Sequence, residues 1–117
     1  MNQATVRKRL WIVMSDLWLD QELTKRDLDY IAQAVRDSGL STAELDKIFE
    51  LELAPFLGLN HLTPLGVWTG FNPDWVCEKA QERFSKYRLR DRIFARLGIT
   101  TYAARPSWER VKTIAFE

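Results

Sequence analysis

Apolar residues recur along this chain at helical spacing. Val6, Leu10, Val13 and Leu17 stand three or four apart, with Trp11, Met14 and Trp18 as a second stripe beside them. Positions three and four apart share one face of a helix, so the spacing predicts a helix over about 4–19. Two adjacent stripes give an apolar face wider than a surface helix needs, which puts this helix at the centre of the molecule. A second helix is expected to start at Thr24 and to bury Leu28, Ile31 and Val35. Thr24 with Asp27 resembles a capping box, and Gly39 suits the left-handed residue that ends a helix. The third begins with Ser41-Thr-Ala-Glu44, a full capping box on paper, and carries the period on through Leu45, Ile48, Phe49 and Glu52/Leu53. Pro55 lacks an N–H and is expected to end or kink this helix near Leu53.

The pattern then breaks. Gly58, Pro64, Gly66 and Gly70 punctuate a stretch without strand alternation, which predicts a long aromatic-rich loop over about 55–72. Asn72-Pro73 with Asp74 reads as a cap, a proline at the first helical position and an acid in the first turn. The helix that follows runs to about Tyr87, with Val76, Ala80 and Phe84 inward. A further helix over about 89–97 carries Leu89, Ile93, Phe94 and Leu97 at core spacing and stops at Gly98. Nothing between Ser85 and Arg90 breaks a helix outright, so one rod or two satisfies the pattern. Residues 99–104 are compatible with an extended segment, and a short helix from Ser107 buries Trp108, Val111 and Ile114. The expectation is an all-α, compact single-domain bundle of five to six short helices, with residues 1–117 as one helical domain.

Composition narrows the class. At 117 residues, with 46% hydrophobic and 28% charged, the chain has the balance of an ordinary globular domain rather than a disordered one. A single cysteine, Cys77, excludes an intrachain disulfide and fits a reducing compartment. Basic residues precede the first apolar run, as in a signal peptide, but Ser15 and Asp16 interrupt that run and no small-residue cleavage site follows. The expected location is the cytoplasm.

Little of the sequence points to chemistry. Cys77 sits beside Val76 and near Ala80, as a buried small hydrophobe does, rather than as a nucleophile paired with His61. One histidine and one cysteine cannot form the usual nitrogen and sulfur ligand sets, and Asp16 with Asp20 reads as a solvated acidic edge. Neither phosphate-cradling glycine motif is present. No catalytic residue, cofactor or metal is expected. The segment 61–75, with His61, Trp68, Phe71 and Trp75 among its glycines and prolines, reads first as a lid over the core and second as an aromatic-rich partner surface.

Charge is unevenly divided. Residues 1–58 hold seven Lys/Arg and ten Asp/Glu, a balance of −3, whereas residues 59–117 hold ten and six, a balance of +4. Asp16, Asp20, Glu22, Asp27 and Asp29 gather around the first interhelix connection, a candidate docking patch for a basic partner. The segment 83–96 carries six Lys/Arg and one acid interleaved with Phe84, Tyr87 and Phe94, so a nucleic-acid-associated module is the alternative reading.

SDLWLDQEL (15–23), Tyr30-Ile31-Ala32, LELAPFLGLN (51–60) and W-x-G-F (68–71) with Trp75 together resemble a family of small uncharacterised bacterial proteins, over roughly residues 9–78. Its members look like immunity proteins encoded beside polymorphic toxins. That resemblance implies a non-enzymatic protein that neutralises a cognate toxin by occlusion. Asp16, Asp20, Glu22, Asp27 and Asp29 would then face a basic active-site surface, with Trp68 as an aromatic anchor.

Overall fold

The computed structural model describes residues 3–19, 22–60 and 71–116. Six helices follow one another among the described residues. Helix α1 spans Gln3–Ser15 and tightens into a 3-10 turn over Asp16–Trp18, and α2 spans Lys25–Asp37. Helix α3 is one rod made of an α-helical stretch Thr42–Lys47, a π-helical turn Ile48–Leu53 and a second α-helical stretch Ala54–Asn60. Helices α4, α5 and α6 span Pro73–Ser85, Leu89–Arg96 and Arg105–Phe116. The fold is an all-α single-domain bundle.

The helix starts follow local chemistry. The Thr24 hydroxyl accepts from the Asp27 N–H at 3.2 Å, and the Thr24 N–H donates to the Asp27 carboxylate at 2.9 Å, which completes a capping box. The Ser41 hydroxyl accepts from the Glu44 N–H, but the Glu44 carboxylate turns to Arg7 and Lys47, so the expected box is only half formed. Asn72 caps α4 by accepting from the Trp75 N–H at 3.1 Å, ahead of Pro73. Helix α5 ends in a Schellman motif. Gly98 stands at φ +84°, its N–H donates to Ala95 O, and the Ile99 N–H donates to Phe94 O.

Two expectations are overturned along α3. Pro55 does not end the helix, and the loop does not begin at 55, because residues 54–60 are helical. The π turn accounts for this. A proline in a helix lacks a donor and presses its ring on the carbonyl four residues back. Here the turn before it is widened, with the Ala54 N–H donating to Phe49 O, five residues back, so the ring meets a ladder already opened. The segment 61–70 lies outside the described residues, and only the exit of the expected loop, Phe71 and Asn72, is irregular. Helices α4 and α5 are separate, since Lys86 (φ −152°) and Arg88 (φ −119°) are extended. Residues 97–104 are turns rather than an extended segment.

The hub is the π turn. All six of its residues are buried, and it packs against α1, α4 and α5. Helix α1 shares the centre only through its second half, where Leu10, Trp11, Val13 and Met14 are buried. Phe49 lies between two indoles, 4.9 Å from Trp18 and 5.4 Å from Trp108 between ring centroids. Each buried indole N–H has an acceptor: Trp11 on Glu52, Trp18 on Thr100 O and Trp108 on Asp46. Helix α2 lies along α6, with the Arg36 guanidinium donating to the Ile114 and Ala115 carbonyls. At Gly58 the second stretch of α3 meets the backbone of Thr100, where a Cβ would come within 2.6 Å of the Thr100 Cα.

Candidate functional site

The chemically dense part of the molecule is the π turn and what surrounds it. Glu50 and Glu52 are two residues apart, so they leave the rod in opposite directions. Both are buried carboxylates, a costly arrangement unless each is paired and hydrogen-bonded.

Glu52 is fully enclosed. Its Oε1 accepts from Arg7 Nε and Trp11 Nε1, both at 2.9 Å, and its Oε2 accepts from Arg7 Nη2 at 2.6 Å and Tyr87 OH at 2.7 Å. The Arg7 guanidinium also lies 4.1 Å from the Phe84 ring centroid. Burial opposes the Arg7 charge, but the Glu52 hydrogen bonds and attraction outweigh it and raise the guanidinium above its ordinary value. Burial first, then Glu52, hold the Tyr87 hydroxyl well above the usual tyrosine range, in its neutral form. With each oxygen taking two donors, Glu52 works as a clamp joining α1, α3 and the α4–α5 connection.

Glu50 faces the other way, toward three guanidinium groups. Arg105 Nη2 donates to Oε2 at 3.1 Å, whereas Arg92 and Arg96 stand off at 4.0 and 3.8 Å. The Arg92 Nε atom is buried without a hydrogen-bond partner among the described residues. Beyond these arginines the surface is aliphatic. Leu89, Ile93 and Leu97 are 76%, 47% and 70% exposed, and with Arg92 and Arg96 they line an open groove of about 440 Å³.

This reverses the expected facing of α5. Asp91 and Ala95 are its buried positions, about 200° around the helix from the Leu89–Ile93–Leu97 ladder. The inner face needs a small residue at the hub and a carboxylate for Arg83, whose Nη1 donates to Asp91 at 3.2 Å. The larger apolar side chains therefore turn outward. Phe84 and Phe94, also expected inward, are each 41% exposed.

The residues singled out from the sequence are dispersed in role. Asp16 is half-buried at the end of α1, and its carboxyl is raised first by burial and then by Asp27. Asp27 is engaged in the α2 cap, which lowers its carboxyl through hydrogen bonds from Thr24. Asp29 pairs with Lys25 at 2.9 Å, and Glu22 is exposed. Asp20, His61 and Trp68 lie outside the described residues. Cys77 is half-buried in α4, with its thiol raised chiefly by burial, which disfavours the reactive thiolate. Trp75 stacks on Phe71 and meets Phe56 edge-on at 5.3 Å, so the exit of the 61–75 segment packs on the core. In the basic segment Arg83, Arg92 and Arg96 face carboxylates, and Lys86, Arg88 and Arg90 form no ion pair among the described residues.

Sequence reasoning missed Glu50 and Glu52. Their signal was present: IFELELAPFL is an apolar run of ten residues broken only by two acids two positions apart, which cannot both face solvent from one helix. A family model described as a domain of unknown function, DUF7079, matches residues 5–114. The chain belongs to the DUF7079 family. No curated protein and no solved structure matches it. The match takes in α1 through most of α6, further than the 9–78 covered by the motifs, so α5 and its outward ladder lie within the DUF7079 domain. Among its described residues no three His, Cys, Asp or Glu side chains form a group able to hold a metal ion, and no helix is long and apolar enough to cross a membrane.

Proposed function

We propose that this DUF7079 chain is a non-enzymatic protein-binding protein that serves as an immunity protein, neutralising a cognate toxin by covering it. The observation that carries the binding reading is the exposed Leu89–Ile93–Leu97 ladder beside Arg92 and Arg96. Contiguous exposed apolar patches on small domains mark interaction surfaces, and arginine is enriched at such interfaces. The non-enzymatic reading draws support from Glu52, whose oxygens are all taken by donors, and from the disfavoured Cys77 thiolate. The test begins with the tagged full chain purified from its source cells, beside an Ile93→Asp variant. A protein retained by the wild type and lost with the variant is then produced, with and without the chain. Growth arrest relieved by the wild type and not by Ile93→Asp is the expected result. A retained protein whose expression is harmless would end the immunity reading while keeping the binding one.

A second docking surface is favoured by one observation. Asp16 carries a carboxyl raised first by burial and then by Asp27, and a basic partner surface would relieve the second of these. Glu22→Lys would then slow association and reduce its salt dependence. Unchanged kinetics would remove this surface.

A further inference from the structure

We infer that the α5 groove receives an acidic amphipathic helix of the partner, which seats aliphatic side chains on Leu89, Ile93 and Leu97 and places carboxylates on Arg92 and Arg96. This rests on the reading of that face as the docking surface. The shape favours a helix. Leu89, Ile93 and Leu97 follow one another at intervals of four along a rise of about 12 Å, a straight apolar ridge of the kind a second helix packs beside.

The charges choose the partner. Glu50 offers one carboxylate to three guanidinium groups, and only Arg105 hydrogen-bonds to it. Arg92 and Arg96 stand about an ångström beyond a hydrogen bond, on the side of the ladder nearest Glu50, with their side chains 35% and 63% exposed. A carboxylate arriving over the groove would take these donors in short charge-assisted bonds. Lys86, Arg88 and Arg90 add positive potential from the same segment, which speeds encounter with an acidic surface.

Other occupants fit less well. A two-fold pair of this chain on this face would oppose Arg92 and Arg96 to their own copies. Single-stranded nucleic acid is held on aromatic platforms on which successive bases stack. Here Tyr87 is tied to Glu52 and Phe84 carries Arg7 on its face.

A displayed library of randomised helical peptides is selected on the native full chain and counter-selected on Ile93→Asp. Ile93 and Arg96 are exposed, so circular dichroism of each variant should match the wild type. The expected winners carry net negative charge and aliphatic residues at intervals of three and four. Arg96→Gln should weaken them about tenfold. Enriched peptides that need Ile93 but are neutral or basic would overturn the acidic partner and leave the docking reading standing. So would unchanged affinity with Arg96→Gln. Absence of any binder dependent on Ile93 would sink both. Self-association lost with Ile93→Asp, measured by sedimentation, would make a second copy the occupant. Binding of a labelled nucleic-acid duplex that the acidic peptides displace would make it nucleic acid. Either result overturns the inference.

Discussion

Glu52→Gln tests the central clamp with almost no change of shape. Four donors converge on the two carboxylate oxygens. The substituted amide would keep one oxygen and turn the other into an NH2 donor. With that NH2 in the place of Oε2, the Tyr87 hydroxyl can rotate and accept from it, but Arg7 Nη2 loses its acceptor. Flipping the amide strands Arg7 Nε and Trp11 Nε1 instead, and an indole N–H cannot reverse its role. Either way the Arg7 guanidinium, only 12% exposed, keeps its charge and loses its closest counter-charge. Breaking a buried pair from one side costs about 3–5 kcal/mol. Glu44, 3.5 Å from the same guanidinium, and the residual exposure of Arg7 place the value near the lower end, about 3 kcal/mol. For a domain of this size that lowers Tm by about 12 °C. Urea unfolding followed by tryptophan fluorescence and circular dichroism measures it, because Trp11 donates to Glu52 directly. Arg7→Met combined with Glu52→Gln removes the stranded charge and should cost at least about 1 kcal/mol less than the sum of the two single changes. A Glu52→Gln protein within about 0.5 kcal/mol of wild type, or strict additivity in the pair, would refute the clamp.

Gly58→Ala should destabilise the fold by about 1–3 kcal/mol or more in urea unfolding, since its Cβ would press on the Thr100 backbone rather than on a flexible side chain. Tyr87 sits above its ordinary value when folded, so its contribution is fully present below the unfolded value of about 10 and fades as pH rises further. Tyr87→Phe should flatten the stability profile above that pH, and an unchanged profile would show that the phenol is not held by Glu52. The Asp16 carboxyl is likewise raised, so it lends stability below the unfolded value of about 3.9 and loses it as pH rises. Asp16→Asn should therefore be more stable than wild type at pH 7 and indistinguishable from it near pH 3, by thermal melts at both.

The helix starts were legible because a cap is a local device. Thr24, Ser41 and Asn72 each declare a terminus through side chains three residues apart or fewer, and the structure bonds Thr24 and Asn72 as the spacing implies and Ser41 through its hydroxyl alone. The buried stripes of α1 and α2 were legible for a similar reason: the apolar face was the only one wide enough to bury. Helix α5 was misread because two faces competed, one aliphatic and one of Asp91 and Ala95. Only tertiary placement decided, since Asp91 meets Arg83 on the inner face and Ala95 is buried beside it. Pro55 misled because a π turn depends on hydrogen bonds five residues back, which no residue type announces. Of the candidate site, Glu50 and Glu52 were readable as acids trapped in an apolar run, but their partners Arg7, Tyr87, Arg92 and Arg105 lie 35 to 55 positions away and were not.

The opposite charges of the two halves also change meaning once the chain is folded. Taken along the sequence, −3 and +4 suggest two surfaces for two partners. Much of the acidic excess is instead consumed within the molecule along α3. Glu44 and Glu52 meet Arg7, Asp46 meets Lys112, and Glu50 meets Arg105 with Arg92 and Arg96 in reserve. Helix α3 thus acts as an acidic spine against which the basic second half is assembled. Around the first connection, Asp27 and Asp29 are likewise held by a cap and a lysine. Among the cations left without an ion pair within the described residues are Lys86, Arg88 and Arg90 around the start of α5, beside the underused Arg92 and Arg96. The aliphatic ladder lies in that same region. An acidic amphipathic surface answers both features at once.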